Sequence, residues 1–342
     1  MKIFLAGSDN EYAIENFYVK YLREAGVEVY HFAAQTFFYS WYRKSVFNKM
    51  IYRSGFSTIL KKINQQFKIE VENFKPDFIW IFKGMEIFPE SLKWARSKGI
   101  RLINYNGDSP FVFSGRGSGN KNVKDAIGLY DLFLTYSSAD REKMEKDFNI
   151  ISQILPFGFD ISEELFDKCA VQEEINKVCF IGNPDDYRKN FLKSLAQNDV
   201  KIDVYGSSWH RYIKDSNINV LGPVKNDEFY KTLRRYRVQL NLMRPHNPTT
   251  HNMRTFEMGG IGAIQLAPAT ADHSFYFKEN EEIFLFDGLG ECLRKIAYIM
   301  KLDKETSGNV RARARIRSLE GGYSYKCRSS QALSFIKNLE IN

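Results

Sequence analysis

The chain has 342 residues, of which 44% are hydrophobic and 26% charged, and a net charge of +8. That length suits one large domain or two ordinary ones, and that composition excludes a disordered chain. The charge is uneven: residues 29–69 hold seven cations (Arg43, Lys44, Lys49, Arg53, Lys61, Lys62 and Lys68) and no Asp or Glu, while Arg311, Arg313, Arg315 and Arg317 form a second run and leave the rest of the chain net acidic. A surface that is not basic throughout argues against nucleic acid as the partner.

The first apolar run, residues 2–6, is too short for a signal peptide and stops at Gly7, as a buried strand does. No window reaches the roughly 18 apolar residues of a membrane span. Strands are expected over 2–6, 27–32, 78–82, 101–105, 132–135 and 151–155, and helices over 12–24, much of 47–74, 89–98 and 139–148. Pro89 suits a first helical turn and Gly99 a stop. This alternation implies a parallel sheet covered by helices.

The turn-rich residues 156–160 end that pattern, so an N-terminal Rossmann-like domain is placed at 1–160. The acidic stretch 161–176 reads as a linker. A second Rossmann-like domain follows at 177–322, with strands over 177–181, 202–205, 219–221, 238–243 and 263–266 and helices over 187–197, 227–237, about 252–259 and 289–302. Residues 323–342 read as a C-terminal helix that packs back on the first domain. Cys169, Cys179, Cys292 and Cys327 form no Cys-x-x-Cys pair and have no His at ligand spacing, so buried thiols of a cytoplasmic protein are expected and no metal site is assigned.

Ligands of open parallel sheets bind beyond the C-terminal strand ends. Those ends supply Gly7-Ser8-Asp9, Lys83 to Glu86, Asn106-Gly107-Asp108, Gly182-Asn183, Gly206-Ser207, Gly222-Pro223 and Arg244-Pro245-His246. Glycine there permits tight turns and close backbone approach. The densest group spans 244–262, with Arg244, His246, His251, Asn252, Arg254 and Glu257. Asn252 is suited to cap the helix that follows, whose free N–H groups attract an anion. Arg254 and Glu257, three apart, share a helix face. They form either a surface ion pair, or a phosphate-binding cation beside a carboxylate that accepts two sugar hydroxyls.

The order strand, loop, Asn252-x-Arg254-x-Phe256-Glu257-x4-Gly262-Ala263 resembles the nucleotide-sugar site of GT-B glycosyltransferases, in particular the bacterial CgeB-like branch. The segments 180–188, 204–209, 219–224 and 282–287 agree with it, and in the first half 106–110 and 156–160 do. The resemblance implies two Rossmann-like domains facing across a cleft, the second holding the donor and the first the acceptor. By position it implies Glu257 on the ribose hydroxyls, Arg188 and Arg254 on the diphosphate, and Pro223 and Val224 at the edge of the base. Gly7, Gly182, Asn183, Gly206, Arg244, His251 and Asn252 complete the expected nucleotide-sugar contacts. Retaining relatives carry an acid eight positions before the ribose Glu, where this chain has Thr249, so no stereochemical course is implied.

The expected reaction is metal-independent transfer from a UDP- or GDP-sugar to a glycan, lipid-linked or protein acceptor, with fixed cations and helix N-termini stabilising the departing diphosphate and no cofactor besides the donor. Asp108 is the candidate base, with Asp9 and His31 behind it, and His246 or His251 the candidate aid to the leaving group. A nucleotide-sugar epimerase or hydrolase on the same fold, and a non-catalytic nucleotide- or glycan-binding protein, stay open as alternatives. The stretch 29–69 also carries eleven aromatics. Three readings compete for it: a helix packed on the first domain with solvated cations, an anionic-membrane face at the inner side of the membrane, and a single-strand-binding surface.

Overall fold

A computed structural model describes residues 1–113, 117–171, 173–244 and 249–341. The chain divides into two compact units, Met1–Pro156 with Tyr325–Asn342, and Phe157–Ser324. Unit 1 begins with β1 (Lys2–Ala6), α1 (Ile14–Glu24), β2 (Glu28–Phe32), α2 (Ala34–Lys44), α3 (Val46–Arg53), α4 (Ile59–Phe74) and β3 (Phe78–Phe82). It continues with α5 (Pro89–Ser97), β4 (Arg101–Asn106), α6 (Lys121–Ala126), β5 (Leu132–Thr135), α7 (Ser138–Phe148) and β6 (Ile151–Ile154). Unit 2 comprises α8 (Glu163–Ala170), β7 (Ile175–Ile181), α9 (Asp186–Ala196), β8 (Ile202–Tyr205), β9 (Ile218–Leu221), α10 (Asn226–Arg235) and β10 (Tyr236–Leu240). After these come α11 (Met253–Ile261), β11 (Gln265–Pro268), α12 (Ala271–Tyr276), β12 (Phe284–Phe286), α13 (Gly288–Met300) and α14 (Lys304–Glu320), and α15 (Tyr325–Ile341) belongs again to unit 1.

Each unit is built on a six-stranded parallel sheet, β2-β1-β3-β4-β5-β6 in the first and β12-β11-β10-β7-β8-β9 in the second. The period of two along each strand divides its side chains between two faces. Ile3, Leu5, Trp80, Phe82, Ile103 and Leu134 pack with Tyr18 and Leu22 of α1 and with Ala332, Ile336 and Leu339 of α15. Phe4, Ala6, Ile79, Ile81 and Phe133 pack on the other face with Phe38 of α2, Phe67 of α4 and Leu92 of α5. Both faces are covered, which is why β3 reads as the uninterrupted apolar run Phe78–Phe82, every residue of it buried. In unit 2, Phe180, Val204, Val238 and Leu266 pack with Leu192 and Leu195 of α9 and Ile296 and Ile299 of α13.

The stretch 161–176 is not a bare linker. Ser162 caps α8 by accepting from the Leu165 N–H at 3.2 Å. The acidity of the stretch has a structural reason: Glu163 pairs with Arg315 at 2.7 Å, and Glu174 pairs with Arg311 at 2.7 Å and with Arg237. The arginine run lies on α14. Arg311 and Arg315, four apart, point inward and are buried. Arg311 donates to the carbonyls of Arg234 and Tyr236, and Arg315 to that of Gly260 at 2.7 Å. Arg313 and Arg317 point outward and pair with Glu281 and Glu282. The run is therefore internally neutralised and braces the helix–strand connections around α11. Cys169, Cys179 and Cys292 are buried as expected, whereas Cys327 is exposed.

The strands and helices expected from the sequence are present in type, but α2, α6, α8, α12, β12 and α14 are not among those expected, and the helix expected within 47–74 divides into α3 and α4. The helix expected over 227–237 stops at Arg235, because Tyr236 turns into the sheet and is buried. The strand expected over 238–243 accordingly runs Tyr236–Leu240. One cooperative consequence follows for α15. Ile336 is fully buried in the core of unit 1, so Ile336→Ala should destabilise that unit by about 2–5 kcal/mol in urea titrations, the range for a large buried side chain cut to Ala.

Candidate functional site

Each sheet has a switch point, where chain order reverses and the loops after two adjacent strands diverge to leave a crevice. In unit 2 it lies between β7 and β10. Arg188 spans it. The side chain leaves the first turn of α9, donates to the Asn183 carbonyl after β7 at 3.2 Å, and donates to the Leu242 carbonyl after β10 at 2.8 Å. Asp185 caps α9 by accepting the Arg188 N–H at 2.9 Å, and its other oxygen lies 3.4 Å from Arg188 Nε. Burial lowers the Arg188 pKa to about 10; Asp185 opposes this, while the charges of Arg244 and Arg254 add to it. Three cations thus share one field at the strand ends.

The glycines after β7 and β8 are there for close approach. Gly182 and Gly206 lie back to back: a Cβ on Gly206, whose φ is +149°, would collide with the Gly182 carbonyl. That carbonyl accepts from Trp209 Nε1 at 2.7 Å, and Trp209 packs edge-on to Phe180. Pro223 and Val224 lie in the loop between β9 and α10, Pro223 exposed and Val224 half-buried. Asn183 and Arg244 are exposed.

The second wall is the start of α11. Asn252 is its N-cap in a capping box with Thr255, and its amide also donates to the Asn241 side chain at 2.8 Å. Beneath the cap, His273 Nδ1 sits 2.8 Å from the Pro268 carbonyl and Nε2 3.0 Å from Thr255 Oγ. A carbonyl can only accept, so Nδ1 carries the proton and Nε2 accepts from the hydroxyl. Arg254 and Glu257 form an ion pair one turn apart, with Arg254 also lying over the Phe229 ring at 4.3 Å. The Glu257 side chain is mostly buried. Its charge, after burial itself, is the next cause raising the pKa of neighbouring Tyr230. The ion-pair and the ligand readings are therefore not exclusive: Arg254 holds one carboxylate oxygen and so orients the other.

His251 is set apart from this group. It is buried among Phe157, Phe256 and Tyr276, with Nδ1 2.6 Å from Asp272. It supports the loop before α11, and the leaving-group role expected of it is not what this packing provides. His246 lies outside the described residues. Thr249 is exposed. Among the described residues, no group of three His, Cys, Asp or Glu could hold a metal ion.

Gly7, Asp9, His31 and Asp108 belong to unit 1. Asp108, after β4, is ion-paired to Lys83 at 2.6 Å, and Lys83 also donates to the Gly117 carbonyl. Asp9 is exposed. Burial lowers the pKa of His31, with Asp9 opposing. The sequence reading passed over Glu15. Its oxygen accepts the Ser8 N–H at 2.9 Å, and a Cβ on Gly7 would strike it. Burial raises the Glu15 pKa, and it raises that of Glu86 to about 7, with Lys83 pulling both down. Glu15 lines a cavity of about 440 Å³ with Ser8, Asn10, Thr36, Tyr39 and Arg43. A signal for it exists in the sequence: Glu15, Tyr18, Val19 and Leu22 form the buried stripe of α1, and a carboxylate on such a stripe is out of place unless it has a task.

The neutral His273 makes stability depend on pH. Burial lowers its pKa from 6.5 to about 4. Between those values the unfolded chain binds a proton that the folded one does not, so the contribution is complete above about pH 6.5 and is lost as pH falls toward 4, on the order of 3 kcal/mol. Urea titrations at pH 7 and pH 5 should show about 2 kcal/mol of that loss, and His273→Asn should flatten it.

Residues 188–334 match the family profile described as Glycosyl transferase-like. The chain is 23% identical to the spore protein CgeB of Bacillus subtilis (strain 168) over 258 residues, which covers 69% of this chain and 76% of that protein. Among solved structures it is similar to sucrose-phosphate synthase from Thermosynechococcus elongatus, with a TM-score of 0.68 at 12% identity over 100% of this chain and 99% of that one. It is also similar to Anabaena HepE in complex with UDP-glucose, with a TM-score of 0.64 at 14% identity over 99% of this chain and 100% of that one. The likenesses to solved structures show the fold, and the profile match includes Arg188, Arg254 and Glu257. The chain has the two Rossmann-like domains of the GT-B fold, and over residues 188–334 it is similar to glycosyl transferases.

Proposed function

We propose that this chain transfers a sugar from a UDP- or GDP-sugar to a glycan, lipid-linked or protein acceptor without a metal ion. The observation that carries this reading is the convergence of Arg188, Arg244 and Arg254 on the switch point of unit 2, beside the capped start of α11. Burial and mutual repulsion make that convergence unfavourable for the empty protein, and a diphosphate relieves it. Arg188 would act through its charge, because two of its nitrogens already serve backbone carbonyls. Arg244, exposed, and Arg254 would supply the donors to phosphate oxygens. The Glu257 oxygen that Arg254 does not hold suits a ribose diol. Pro223 and Val224 would edge the base, and the backbone at Gly182, Asn183 and Gly206 would line the approach. The likeness to a protein solved with UDP-glucose supports a nucleotide-sugar donor.

The proton of the acceptor hydroxyl is assigned to Asp108, positioned by Lys83, with Glu15 as the competing carboxylate of unit 1. Titration calorimetry with UDP and GDP tests the donor site. One of the two should bind, and Glu257→Ala should weaken it by at least about tenfold, the loss of a charge-assisted hydrogen bond to a buried acceptor. Absence of binding, or binding indifferent to Glu257→Ala, refutes the site. For the base, Asp108→Asn should lower kcat by about a hundredfold or more with nucleotide affinity unchanged; that loss appearing in Glu15→Gln instead moves the role to Glu15. Turnover of donor without any acceptor would favour the epimerase or hydrolase chemistry.

A further inference from the structure

The two basic clusters of this chain behave in opposite ways. Every arginine of the α14 run has a glutamate partner. In the stretch 29–69, Lys44, Lys49, Arg53, Lys61 and Lys62 form no ion pair with a described residue, and the sequence places no carboxylate among them. Their charge is left for something outside the chain.

The apolar side chains of the same stretch are also divided unusually. Phe38 and Phe67 enter the core of unit 1. Helix α3, by contrast, buries no residue. It is anchored by Tyr52, whose ring meets Phe38 at 4.8 Å and Tyr42 at 5.6 Å. At about 100° per residue, the side of α3 opposite Tyr52 carries Val46, Phe47 and Met50, with Lys49 and Arg53 flanking that arc. Val46 is 72% exposed, Phe47 68% and Met50 61%, and Phe56 in the following turn is 83% exposed. A helix whose outer face is apolar and whose flank is cationic is shaped for the boundary between lipid headgroups and acyl chains. A second copy of this chain is a poor match, since it would set cations against cations. A single-stranded nucleic acid would use stacking rings, whereas Val46 and Met50 have no π face. Among the described residues no helix is long and apolar enough to cross a membrane.

We infer that α3 and the turn at Phe56 form a docking surface for an anionic lipid bilayer, with Phe47, Met50 and Phe56 entering the interface and Lys44, Lys49 and Arg53 meeting lipid phosphates. Linking that surface to a lipid-linked acceptor rests on the transferase reading; the binding itself does not. The test is co-sedimentation of the full chain with vesicles of phosphatidylcholine alone or with about a third phosphatidylglycerol. Anionic vesicles should retain the protein and neutral ones should not, with retention falling as salt rises. Phe47→Glu with Met50→Glu, and separately Lys49→Gln with Arg53→Gln, should each reduce retention by about tenfold or more. These side chains are outside the core, so the melting temperature and UDP or GDP affinity should stay unchanged in both variants. Equal retention on neutral vesicles, no retention, retention indifferent to both variants, or a concentration-dependent dimer abolished by Phe47→Glu overturns the proposal. Nucleotide affinity on the same preparation reports the donor site separately, so either claim can fail alone.

Discussion

Arg188 is the constraint on which the second unit depends. A parallel sheet whose chain order reverses at β7 and β10 leaves two loops diverging from adjacent strands, and their carbonyls need donors. A buried guanidinium meets both needs, since its planar fork reaches Asn183 and Leu242 together. Removing one partner of such a buried group typically costs about 3–5 kcal/mol. The same charge that closes the crevice also makes it attractive to an anion. Structure and ligand preference therefore come from one side chain.

The loops around that crevice are held from behind by polar contacts. His273, Thr255, Asn241 and Asn252 form a chain of hydrogen bonds that sets the first turn of α11. Arg311 and Arg315 tie the other end of α11 and the start of β10 to α14 through backbone carbonyls. Hydrogen bonds between charged groups and buried carbonyls are stronger than neutral ones, so the C-terminal end of α11 is held as firmly as its capped start. An ion-paired Arg254–Glu257 couple on such a helix is pre-oriented, so little side-chain entropy remains to be lost on binding.

The first unit combines a rigid sheet with side chains that the core does not require. Glu15, Glu86 and Lys83 gather at the ends of β1 and β3, the switch point of that sheet. Burying carboxylates beside a single ammonium is unfavourable for folding and is the usual mark of a chemical task. The exposed apolar face of α3 is a second such departure, on a helix secured by Tyr52 against Phe38 and by the Asn48 amide on the Trp41 carbonyl.

The sequence by itself determined the α/β alternation, the glycines at strand ends and the capped segment before Glu257, because those signals are local: strand period, helix caps and chain reversals act over a few residues. It also located the uneven charge. Only the tertiary structure decided what each charge does. Arg311 and Arg315 look like Lys49 and Arg53 in composition, yet the first pair is buried against Glu174 and Glu163, over a hundred residues away in the chain, and the second pair has no such partner. Asp108 met Lys83, His251 met Asp272, and Glu15 entered a core stripe for the same reason. Electrostatic energy depends on distance and burial, and neither is set until the strands have chosen their neighbours.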